Sequence, residues 1–113
     1  MKMSARAHGV LDYATVVIFA LAPTILGLAG LAAAIAYALA GIHLVMTLLT
    51  DFPGGIAKLV PFPLHGVVEG IVSPVLVVLP FVLGFEGTAR VFYIVMGVVI
   101  ALVGFGTSYR RAP

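Results

Sequence analysis

Between residues 10 and 49 the chain carries a single formally charged side chain, Asp12. No water-soluble domain is built from such a stretch, because a folded surface needs charge to stay in water. Apolar runs of about 18 residues or more read instead as membrane-spanning helices. The rest of the composition agrees: of 113 residues, 63% are hydrophobic and 9% charged, where a soluble domain carries roughly 25% charged residues. Lipid solvates apolar side chains directly, so the chain needs no large water-excluded core. One membrane domain, spanning residues 1–113, is the natural organisation.

The second constraint is internal repetition, which decides architecture before any element is placed. His8-Gly9-Val10-Leu11-Asp12 returns as His65-Gly66-Val67-Val68-Glu69 after an offset of 57 residues. The same offset carries Pro23 onto Pro80, Gly27 onto Gly84, Gly30 onto Gly87 and Thr50 onto Thr107. We read repeat 1 over about 8–52, a linker over about 53–64 and repeat 2 over about 65–109. Each repeat holds two helices, expected over about 8–28 and 31–50, then 65–85 and 88–107. Pro23 predicts a kink or early stop, since the residue before a proline is pushed out of helical geometry. Ala32, Ala36 and Ala40, and Gly97 with Ala101, offer small faces for close helix contact in lipid. The prolines at 53, 61 and 63 mark the linker.

The fold class expected is therefore an all-α membrane protein. Four transmembrane helices form from two tandem two-helix repeats. Two crossings return the chain to its starting side, so the halves point the same way and their pseudo-two-fold axis lies along the membrane normal, unlike inverted-repeat transporters. Lys2, Arg6, Lys58, Arg110 and Arg111 fall on one side and Arg90 on the other. The positive-inside rule then puts both termini in the cytoplasm. A cleaved signal peptide over 1–22 is not expected, because Asp12 interrupts its apolar region and the same pattern recurs mid-chain. The chain has no cysteine, so it has neither disulfides nor thiolate ligands. The net charge of +2 arises from scattered groups and gives no nucleic-acid footprint.

The ionisable residues inside the apolar segments carry the functional signal, because a charge in the bilayer costs several kcal/mol, about 3 on some scales, unless partnered. His8 and Asp12 lie at i and i+4, one turn apart on one helix face, as do His65 and Glu69. His43, on the returning second helix, reaches a similar depth, so His8, Asp12, His43, His65 and Glu69 are expected to converge near the cytoplasmic side. Three readings stay open. The first is a reciprocal His–carboxylate clasp locking the two halves, with Arg6 assisting on one side. The second is a ligand site. His8, His65, Asp12 and Glu69 would hold a divalent metal between facing helices, or His8 and His65, with His43 a further candidate, would ligate a haem in space left by Gly9, Gly41 and Gly66. The third is a proton or ion pathway with Thr15, Thr24, Tyr37 and Ser73 as polar stations.

Other polar groups read as structural. Thr50 and Asp51 look like interfacial end groups, the tyrosines like packing or interface anchors, and Glu86 with Arg90 like a surface pair. There is no nucleophile–base arrangement, phosphate loop or dinucleotide fingerprint, which points away from an enzyme. A non-enzymatic accessory subunit or self-associating bundle is expected. Its partners are the lipid bilayer and further copies of itself or a larger membrane complex, not nucleic acid.

The doubled His-Gly-x-x-acid pattern is followed eleven residues after each acid by Pro-x-x-Leu-Gly, at Pro23–Gly27 and Pro80–Gly84. It resembles the SPW repeat family of small bacterial integral membrane proteins with a duplicated two-helix unit. The likeness runs from His8 to Tyr109. The family's Ser-Pro-Trp stands here as Ala22-Pro23-Thr24 and Leu79-Pro80-Phe81, so the chain resembles a divergent member lacking the tryptophan. The resemblance implies a multi-pass protein of the bacterial inner membrane. It implies no reaction.

Overall fold

The structure is a computed structural model, and it describes residues 2–109. Helix α1 spans Ala5–Leu26 and α2 spans Gly30–Leu49; the two-residue strands β1, Thr50–Asp51, and β2, Val60–Pro61, follow; then come α3, Phe62–Leu83, and α4, Gly87–Phe105. Arg110 and Arg111, two of the cations expected on the cytoplasmic side, lie outside the described residues.

Local chemistry sets the helix limits. The Ser4 hydroxyl caps α1 by accepting from the Ala7 amide at 3.1 Å. Gly27 and Gly84 end α1 and α3 in the left-handed region, at φ 67° and 72°, where a residue with a Cβ is disfavoured. Helix α3 starts earlier than expected, at Phe62 rather than near His65. Pro63 stands in its first turn, where an amide has no intrahelical partner and the ring's fixed φ suits the helix. Pro23 does not stop α1, which runs on to Leu26. So close to the helix end, the ring removes a single backbone bond. An offset of 57 residues carries the bounds of α1 onto those of α3.

All four helices are long and apolar enough to cross a membrane. At 1.5 Å per residue a 22-residue helix is about 33 Å long, matching a hydrocarbon layer of about 30 Å, and α1 and α3 have that length. Polarity is inverted relative to a soluble protein. Ile25, Ile42, Val67, Val82, Leu102 and Phe105 are exposed, whereas His8, Asp12, His65, Glu69, Thr50 and Thr107 are buried.

Helix α1 packs on α2, and α3 on α4. Gly97 permits the second contact: a Cβ there would stand 2.7 Å from the Ser73 carbonyl oxygen. Between the hairpins lies an apolar core that includes Phe19, Leu76, Tyr93, Met96 and Ile100. Ala32, Ala36 and Ala40 are buried in this same core, so the alanine face serves the chain's own packing. The Tyr93 hydroxyl ties α4 to α2 by donating to the Ala32 carbonyl at 2.6 Å.

The opposite end is stitched by two parallel pairings. Thr50 pairs with Val60, and Met3 pairs with Thr107. The segment leaving α2 thus lies beside the one entering α3, and the segment leaving α4 beside the one entering α1.

Candidate metal centre

Four helical positions bring the site together. His8 and Asp12 lie in the first turns of α1, and His65 and Glu69 in those of α3. One ligand atom from each falls within 4.8 Å of all the others, and all four residues are buried. Glu69 Oε1 is central, 2.7 Å from Nε2 of His8 and 2.7 Å from Nε2 of His65. Asp12 straddles the same two rings, with Oδ1 at 3.3 Å from His8 Nε2 and Oδ2 at 3.0 Å from His65 Nε2. His43 joins from α2, its Nε2 3.2 Å from Asp12 Oδ1. All five residues singled out in the sequence therefore meet, four of them around one point and His43 behind Asp12.

The hydrogen bonds within the cluster are incomplete. His8 Nε2 and Glu69 Oε1 are aligned for one. His65 Nε2 and Asp12 Oδ2 have none, although both atoms are buried. Close oxygens surround the His65 nitrogen without lying along its bonding direction. Two imidazole nitrogens and two carboxylates that converge with incomplete hydrogen bonding are a donor set that could hold a metal ion.

On the loop side the cluster is covered by aromatic rings. Phe62 stands edge-on to His8, with centroids 5.2 Å apart, and contacts Phe52 and Tyr109 at 5.1 and 4.7 Å. Phe52 and Tyr109 also fill the space beside the two motif glycines. A Cβ on Gly9 would meet the Phe52 ring at 3.2 Å, and one on Gly66 would meet the Tyr109 ring at 2.5 Å. Burial, and then the neighbouring Glu69 and Asp12 charges, push the Tyr109 phenol from 10.0 up to about 12, so it stays neutral. It donates to the Gly104 carbonyl at 2.9 Å. Outside this lid opens a cavity of about 600 Å³ whose lining includes Ser4, Arg6, Asp51, Phe62 and Tyr109.

Several expectations change. A haem between His8 and His65 does not fit: the ring centroids are 5.3 Å apart at 81°, both Nε2 atoms abut Glu69, and aromatic rings occupy the space beside Gly9 and Gly66. Gly41 has nothing within 4 Å of a built Cβ and is exposed, so it frames no pocket. Arg6 is exposed at the mouth rather than beside the carboxylates. Of the polar stations expected of a pathway, Ser73 continues the cluster by one turn of α3 beyond Glu69, buried and with its Oγ lacking a hydrogen-bond partner, but the other three do not extend it. Thr15 bonds back to the Leu11 carbonyl, Thr24 and Tyr37 are exposed, and Phe19, Leu76 and Phe92 fill the core beyond. Arg90, expected to pair with Glu86, donates to the Phe85 carbonyl and lies over the Phe81 ring.

Sequence reasoning missed Thr50 and Thr107 as members of the site. Thr50 Oγ1 lies 2.8 Å from His65 Nδ1, and Thr107 Oγ1 lies 2.8 Å from His8 Nδ1. The available signal was the repeat itself, which aligns these threonines, and aligns Phe52 with Tyr109. Compared with known proteins, the chain matches no family model, no curated protein and no solved structure.

Proposed function

We propose that this chain is a small, non-enzymatic, four-span protein of the bacterial inner membrane whose buried His8/Asp12/His65/Glu69 centre holds a divalent metal ion. The observation that carries the reading is the convergence of four buried donor residues with His65 Nε2 and Asp12 Oδ2 left without hydrogen bonds. Ligand atoms around a tetrahedral ion with bonds of about 2.0 Å are separated by roughly 3.3 Å. The 2.7 Å separations of Glu69 Oε1 from the two histidine nitrogens need a small expansion to reach that spacing, and one donor atom from each of the four residues lies within 4.8 Å of the others. Charge supports a divalent ion: two carboxylates balance two positive charges with both imidazoles neutral, and a buried centre is stable only near neutrality.

The helix lengths and the apolar exterior support the membrane placement. Cytoplasmic termini follow from Lys2, Arg6 and Lys58 lying on the side opposite Arg90. The shared bounds of α1 and α3, and the matching pairings Thr50 with Val60 and Met3 with Thr107, support a pseudo-two-fold along the membrane normal. The family reading remains the SPW repeat resemblance, carried by the doubled His-Gly-x-x-acid and Pro-x-x-Leu-Gly elements of the sequence, with an accessory role in the membrane.

The aligned contact between His8 Nε2 and Glu69 Oε1 favours a second reading, a metal-free clasp of protonated histidines and carboxylates. Metal analysis of the detergent-purified protein separates the two. Stoichiometric divalent metal, lost in His65→Ala, is expected. Protein that takes up no metal after incubation with Zn²⁺, Mn²⁺, Fe²⁺ or Co²⁺ leaves only the clasp.

A further inference from the structure

The hydroxyl hydrogens of the two missed threonines are already committed. Thr50 Oγ1 donates to the Met46 carbonyl at 2.6 Å, and Thr107 Oγ1 to the Val103 carbonyl at 2.5 Å. A hydroxyl has one hydrogen, and after donating it can only accept. The contacts to His65 Nδ1 and His8 Nδ1 are therefore made with the imidazoles donating. Each ring carries hydrogen on Nδ1, and the atom turned to the carboxylates is Nε2. Both threonines are fully buried, and both lie in the parallel pairings that join the hairpins. The backbone thus fixes each hydroxyl, the hydroxyl fixes a ring, and the ring aims a nitrogen.

We infer that Thr50 and Thr107 are positioning residues that dedicate both Nε2 atoms to a borderline divalent ion of the Zn²⁺ class. This rests on the metal reading above and adds the ion class and the residues that select it. Two imidazole nitrogens with two carboxylates suit zinc and its first-row neighbours. Ca²⁺ and Mg²⁺ take oxygen shells, and Cu⁺ prefers sulfur, of which the centre has none. A ring held at the far nitrogen by a hydrogen-bond acceptor is the usual means of fixing a ligating histidine, and losing such a partner weakens metal binding about 10- to 100-fold.

The test uses the full chain in detergent, with Zn²⁺ competed against a chromophoric chelator and Mg²⁺ as the hard-ion control. Thr50→Val and Thr107→Val keep side-chain shape and remove the acceptor; each is expected to weaken Zn²⁺ binding about 10- to 100-fold. Thr50→Ser and Thr107→Ser keep the hydroxyl and are expected to restore most of the affinity. Ring ¹⁵N spectra of the zinc-loaded wild type should show His8 and His65 protonated at Nδ1 and metal-bound at Nε2. Wild-type affinity in both valine variants, tighter binding of Mg²⁺ than Zn²⁺, or zinc on Nδ1 would each overturn the inference. If the valine variants fail to fold, the wild-type ring spectra decide alone. A wild type that binds no Zn²⁺ overturns the metal reading itself, whereas zinc bound without regard to the threonines overturns only their role.

Discussion

His65 Nε2 and Asp12 Oδ2 stand 3.0 Å apart inside the bundle, both buried, with no hydrogen bond to either. A buried polar atom without a partner costs about 1–3 kcal/mol, and more when it is charged. The bundle tolerates the arrangement because the pair is not isolated. Glu69 reaches both histidines, Asp12 reaches all three, and Thr50 and Thr107 hold two of the rings from behind. The five ionisable groups behave as one unit in which no charge lies far from its opposite.

Breaking that unit at one point is therefore expected to hurt more than removing it. Glu69→Leu leaves both histidines facing one carboxylate, and loss of one partner from a buried ionic network typically costs about 3–5 kcal/mol. Adding His8→Leu, Asp12→Leu and His65→Leu leaves no ionic pair within the four-residue centre and should recover part of the loss. Unfolding in detergent with excess chelator measures both. A Glu69→Leu variant as stable as the wild type would contradict burial of its carboxylate.

Two glycines should respond oppositely to alanine. Gly97 faces the α3 backbone, where a Cβ would press on the Ser73 carbonyl and the Val77 amide at 2.7 and 3.0 Å. Backbone cannot rotate aside, so Gly97→Ala should force α3 from α4 and cost about 1–3 kcal/mol. Gly41 is helical with open space around its Cβ position, and Gly41→Ala should leave stability unchanged or raise it by up to about 1 kcal/mol. Equal losses in the two variants would mean that α3 and α4 do not meet as closely as described.

The four helices are legible in the sequence because their causes are local. A long apolar stretch has no soluble alternative, and α1 and α3 end within two residues of the expected bounds, where Gly27 and Gly84 turn the chain. The five ionisable site residues are legible because a charge in an apolar stretch requires a partner. Their exact partners are not. The i and i+4 spacing pairs His8 with Asp12, yet the shorter contact of His8 is to Glu69 in the other hairpin. Thr50 reads as an ordinary end group because a hydroxyl at a helix end is satisfied in many ways; only its pairing with Val60 brings it to His65. Phe52 and Tyr109 carry no helical periodicity, since both lie beyond the helices and act by covering a gap that the fold creates; only the 57-residue repeat relates them.

Tyr109 gives the lid a pH dependence. Its folded-state value, about 12, lies above the 10.0 of an exposed phenol, so folding favours the neutral ring. The stabilising contribution is complete below pH 10 and is lost as pH rises toward 12. Phenolate absorbance and thermal unfolding followed over that range should both change less in Tyr109→Phe than in the wild type. Coincident titration of the wild type and the variant would place Tyr109 outside the lid.

Metal removal should act on the whole bundle, because the centre joins α1 to α3 where few other polar contacts do. A ligand that binds only the folded state stabilises it by about 2.7 kcal/mol at a hundredfold excess over its Kd. Zn²⁺ at that excess should raise the unfolding midpoint of the wild type, and chelator should reverse the gain. In His65→Ala the centre loses the nitrogen that lies 2.7 Å from Glu69 Oε1 and 3.0 Å from Asp12 Oδ2, and its midpoint should not respond to Zn²⁺. His43→Ala removes a contact to Asp12 from outside the four-residue centre, and should keep most of the Zn²⁺ response. Equal loss of response in the two variants would make His43 a ligand and redraw the centre around Asp12.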